Sequence, residues 1–165
     1  MSVENFRWLA GVIAEHPERT VQGRTRLQKT IKLLQRLGLP TCYSYRMHFF
    51  GPYSEDLQAE IGLLEVLGFI EDKAVAATGG GSSHFVASEV AVLNEIEPFR
   101  AAIGSFSSQS STVLELAATY DAWREEEVSH KESLEKLHAK KEPKCTPENV
   151  QAALQLLQTV GLPNN

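Results

Sequence analysis

The stretch HFFGPYSEDLQAEI, His48 to Ile61, takes the chain from an extended segment into a helix across a very short corner. Gly51 permits backbone angles closed to other residues, and Pro52 cannot donate a ladder hydrogen bond, so a strand is expected to stop there. Ser54 is a good N-cap, and Glu55 with Asp56 place negative charge in the first turn, where the helix dipole favours it. Leu57, Ile61, Leu64 and Leu67 then form an apolar stripe that ends at Gly68. Upstream, Tyr43, Tyr45, Met47 and Phe49 alternate with Ser44, Arg46 and His48, the period of a strand running from Cys42 to Phe50. The corner therefore serves to seat a helix against a sheet.

Outward from this corner the other elements follow. Phe6, Leu9, Ala10 and Ile13 have the spacing of a first helix over Val3 to Glu15, which HPERTVQG breaks. A second helix is expected from an N-cap at Thr25 to Leu37, ended by Gly38-Leu39-Pro40. After the third helix, FIEDKAVAA and HFVASEVAVL read as two strands joined by the turn TGGGSS. Helix, helix, strand, helix and hairpin is the order of a winged helix-turn-helix. Beyond it the chain reads as helical: Asn94 to Phe106, Thr112 to Trp123, the charged run EEEVSHKESLEKLHAKK, and a last helix opened by Thr146-Pro147-Glu148. The expected fold is α+β and mainly helical, with a winged-helix domain over 1–93 and a helical extension over 94–165 packed on it. The extension either completes one unit with that core or mediates self-association as a homodimer.

A chain of 165 residues with 42% apolar and 22% charged residues has the make-up of a soluble globular protein able to bury a core. Two cysteines, Cys42 and Cys145, form no pairing pattern, which points to a reducing, cytoplasmic compartment. The N-terminus lacks a basic leader, and no window has the apolar length of a membrane span. The net charge of −5 hides an asymmetry. Met1 to Met47 holds eight Lys/Arg against three acids, a surplus of +5 that leaves −10 for the remainder. That split points to a basic face on an acidic body.

On a helical wheel of the second helix, Arg26, Lys29, Lys32 and Arg36 share one arc, opposite Leu27, Ile31 and Leu34. Arg24 stands at its start, and Arg46 follows in the next strand. No acid occurs between Arg19 and Ser54. Such a stripe would bind phosphates in a salt-sensitive, sequence-independent way, and it equally suits a merely solvated helix face. The third helix argues against base readout, because it carries Glu55, Asp56, Glu60 and Glu65, with Gln58 alone suited to a base edge. Lys73 could add to a phosphate contact.

Other chemistry is thin. His130 and His138 with Glu126 do not make a compact ligand set, so no metal and no cofactor are expected. TGGGSS lacks the Lys-Ser/Thr and following helix of a phosphate cradle, which leaves a wing tip. Trp8, Trp123 and Tyr53 read as core. No nucleophile–base pair stands out, and the chain reads as non-enzymatic.

GRTRLQKTIKLLQRLG (Gly23–Gly38), YRMHFFGPYSEDLQAEIGLLEVLGFI (Tyr45–Ile70), LELAATY (Leu114–Tyr120) and KCTPENVQAALQLLQTVGL (Lys144–Leu162) resemble the YwgA-like proteins of bacteria and archaea. More distantly they are similar to Panacea-type antitoxin domains. The resemblance implies a winged-helix fold, and on the antitoxin side it implies action through protein partners; a fold alone does not fix a function. Two readings result. The first is a winged-helix regulatory protein contacting DNA or another nucleic acid through Arg24, Arg26, Lys29, Lys32, Arg36 and Arg46. The second is a protein-interaction or antitoxin-like adaptor that docks through its acidic third helix and carboxy-terminal helices.

Overall fold

The computed structural model describes residues 3–73 and 82–165. In chain order the helices are α1 (Val3–Glu15), α2 (Arg24–Arg36), α3 (Glu55–Val66), α4 (Arg100–Ser107), α5 (Ser111–Glu125), α6 (His130–Lys141) and α7 (Pro147–Val160). The strands are short: β1 (Thr20–Gln22), β2 (Arg46–His48), β3 (Gly51–Tyr53), β4 (Ile70–Asp72) and β5 (His84–Ala87). The protein is α+β and mainly helical, as its periodicity predicts.

One antiparallel sheet has the order β1-β5-β4, with Val21 and Asp72 both facing Phe85 and Ile70 facing Ala87. Val21, Ile70, Phe85 and Ala87 point into the core, so one face of each strand is buried. β1 was not expected, because three residues are too few to show a period. TGGGSS falls largely on residues 78–81, outside the described part of the chain.

The corner also differs from its sequence reading. The strand expected over Cys42 to Phe50 is confined to Arg46–His48, and the chain does not leave the sheet at Pro52. Instead β2 and β3 pair as a hairpin with Phe49-Phe50 at its tip, Met47 facing Pro52 and His48 facing Gly51. Proline can sit in such a ladder only on a rung that exchanges no hydrogen bond, and the middle rung of three is of that kind. Ser54 then caps α3 as expected, its hydroxyl accepting from Leu57 N.

A single core joins both halves of the chain. Leu9, Ile13, Leu27, Ile31 and Leu64 pack with Ile103, Phe106, Leu114, Leu116 and Leu157. α5 is its axis: every residue from Val113 to Trp123 is buried. A helix apolar nearly all round has no solvated side, so it must be covered by neighbours. It packs against α2, α6 and α7. Burying each of its leucines contributes about 1.5–3 kcal/mol. Residues 94–165 are therefore part of the core rather than an appendage.

Candidate functional site

The six cations singled out by the sequence do not form one surface. Arg24 and Arg46 are exposed. Lys29 and Lys32 are 1% and 6% exposed, and Arg26 and Arg36 are half-buried. The expected free stripe on α2 is corrected by the packing, because α5 lies over it. Lys32 Nζ meets Glu125 Oε2 at 2.5 Å. Arg36 holds Asp121 with two nitrogens, at 3.0 and 3.4 Å. Arg26 Nη1 donates to the carbonyls of Phe106 and Ser107. Burial pushes the Asp121 carboxyl up, opposed by the Arg36 guanidinium. Arg24 and Arg46 alone would give phosphate binding a salt slope of only about −2, where five contacts would give about −4 to −5.

Beneath the hairpin lies a second buried group of charges. Lys29 Nζ donates to the Pro52 carbonyl at 2.7 Å. Lys141 Nζ, from α6, donates to the Phe49 carbonyl and to Glu115 Oε1, and Lys144 takes the other Glu115 oxygen at 2.7 Å. Three ammonium groups thus face one buried carboxylate. Desolvation lowers the Lys29 pKa to about 8; Glu115 opposes the shift, while Lys141 and Lys144 add to it. The corner opened by Gly51-Pro52 is fixed from below by amines that grip its carbonyls. The sequence held a signal for this: an acid inside an apolar helix such as LELAATYDAW needs a cation, and α2 offers several.

Neutral hydrogen bonds complete the support. The Gln28 amide donates to the Ser54 carbonyl and accepts from Ser54 N, both at 2.9 Å, and so holds the start of α3 against α2. The Tyr43 hydroxyl donates to Glu60, which is itself buried. Burial first, then this carboxylate, pushes the Tyr43 hydroxyl up. The Tyr120 hydroxyl and His130 Nδ1 lie 2.7 Å apart. Among the described residues, no three His, Cys, Asp or Glu side chains converge as metal ligands would.

One part of the outer surface is apolar. Val66, Leu67 and Phe69 at the end of α3, with Val90 and Val92 after β5, are large and exposed. Leu67, Phe69, Val90 and Val92, with Phe6, Arg7, Ala10, Leu64 and Ala91, border a groove of about 300 Å³. Glu65 and Glu89, next in sequence to its lining residues Leu64 and Val90, are exposed, and Arg7 pairs with Glu95 at 3.1 Å. Lys73, expected as a phosphate contact, lies 3.6 Å from Glu71. No helix of the described residues is long and apolar enough to cross a membrane.

Neither a protein-family model nor a solved structure matches the chain. It is, however, 32% identical over 145 residues to "Uncharacterized protein YwgA" of Bacillus subtilis (strain 168), an alignment spanning 82% of this chain and 85% of that protein. Likeness at that level along so much of both chains shows common descent. The chain belongs to the YwgA family.

Proposed function

We propose that the chain is a non-enzymatic protein-interaction module built on a winged helix-turn-helix core, and that it docks the apolar face of a basic amphipathic helix. The sheet order β1-β5-β4, with α1 before it and α2 and α3 between its first two strands, supports the winged-helix reading. The observation that carries the docking reading is the groove between α1, the end of α3 and the Val90–Val92 segment. Four large apolar side chains stand in water there, Leu67, Phe69, Val90 and Val92, the two valines more than two-thirds exposed. Contiguous exposure of that kind marks an interaction site. A helix laid in a groove buries side chains at i, i+3, i+4 spacing. The exposed Glu65 and Glu89, adjacent in sequence to Leu64 and Val90 of its lining, favour lysine or arginine on the flanks of that helix. Nucleic acid is the weaker reading, since four of its six proposed contacts bind the protein's own carboxylates and carbonyls.

Fluorescence anisotropy with two designed helical peptides tests this, one with a leucine face and lysine flanks, the other with the same face and glutamate flanks. The lysine peptide is expected to bind, and Val90→Asp with Val92→Asp to weaken it at least tenfold. Equal binding of both peptides, indifference to the substitutions, or no binding of the lysine peptide overturns the reading.

A further inference from the structure

Between the hairpin, α5 and α6 lies a cavity of about 470 Å³, lined by Met47, His48, Phe49, Thr119, Trp123, Lys140 and Lys141. Its walls are of two kinds. Met47, Phe49 and Trp123 form an apolar side, with Met47 and Phe49 left uncovered. Lys140 and Lys141 supply positive charge, and no carboxylate lines the space.

We propose that this cavity binds a small organic anion, with its apolar body against Met47, Phe49 and Trp123 and its carboxylate or phosphate held by Lys140 and Lys141. One buried donor there is unspent. Lys141 is 5% exposed and carries three N–H donors, of which the Phe49 carbonyl and Glu115 use two. The Lys140 ammonium stands over the Trp123 ring, 5.7 Å from its centroid, at the mouth of the same cavity.

The charge balance agrees. Lys29, Lys141 and Lys144 gather around Glu115, while Asp121 and Glu125 are occupied by Arg36 and Lys32. Lys144 is partly exposed, but Lys29 and Lys141 are both buried, so one carboxylate leaves one desolvated ammonium unmatched, which favours a counter-ion. An anion in the cavity would supply it. The neutral wall asks for more than a bare ion, which is why the ligand is organic.

The test uses the full chain with Trp8→Phe, so that Trp123 alone fluoresces, and calorimetry in parallel. Adenosine monophosphate and indole-3-acetate are the anionic probes; adenosine and inorganic phosphate are the controls. At least one anionic probe is expected to bind ten times more tightly than either control. Lys140→Ala is expected to weaken it about tenfold. Binding of neither anion, adenosine binding as well as its monophosphate, or Lys140→Ala binding like the parent overturns the proposal.

Discussion

Gly51 shows how tightly the hairpin is fitted. Its φ of 83° lies in the left-handed region, and a Cβ there would overlap the Thr119 hydroxyl. Gly51→Ala is therefore expected to lower the unfolding free energy by about 2–4 kcal/mol, from backbone strain and overlap together. Urea titration should show part of that loss restored when Thr119→Ala is added, and strict additivity would refute the contact. Lys29 makes a second prediction. Its folded pKa of about 8 lies below the unfolded value of 10.5, so from pH 8 to 10.5 the unfolded chain binds more protons and stability rises with pH. Below pH 8 both states are charged and the penalty is constant. The rise is at most about 1.4 kcal/mol per pH unit, and Lys29→Met should abolish it between pH 8 and 9.5. Above pH 10 the buried Tyr43 and Tyr45 act the other way, since their hydroxyls are pushed up and the unfolded chain ionises first. Cys42 and Cys145 are both unpaired, as their spacing suggested.

At the scale of elements, what carries its own punctuation was legible. The residues of α1 repeat at helical spacing, α3 has Ser54 and α7 has Thr146 with Pro147, and all three helices fall within a residue or so of their expected bounds. The misreadings share one cause, that tertiary partners overrode a local pattern. The cationic arc of α2 looks like a solvated face until α5 is laid across it, and a wheel of one helix cannot show its neighbour. Pro52 would end most strands yet is tolerated here on a middle rung that needs no donor from it, and its outward carbonyl is taken by the amine of Lys29. The apolar groove was missed because its residues come from α1, α3 and the segment after β5, distant in sequence. The contrast between the two ends of α3 can be measured. Ser54→Ala should cost about 1 kcal/mol through the lost cap, whereas Val66→Lys at the exposed end should change stability by no more than about 0.5 kcal/mol. A large loss from Val66→Lys in thermal melts would mean that this end is covered in the free protein.

The molecule as a whole is organised around α5, which lies at the centre of the core. Residues 1–109 lack that helix, and the apolar faces of α2 and α4 would then open to water. That fragment is expected to show no cooperative melt and a collapsed amide spectrum; a well-dispersed spectrum would refute the single-core account. The continuity of the core explains why charge counting by chain halves misled. The basic first third and the acidic remainder were complementary, and much of the asymmetry is cancelled internally where α2 meets α5. Interior ammonium groups also leave a chemical fingerprint. An acylating ester offered to the native chain should modify Lys73, Lys131 and Lys140 at once, while Lys29, Lys32 and Lys141 react only at the pace of global opening. Those three amines are built-in clocks, through which mass spectrometry could time the breathing of this architecture without any introduced probe.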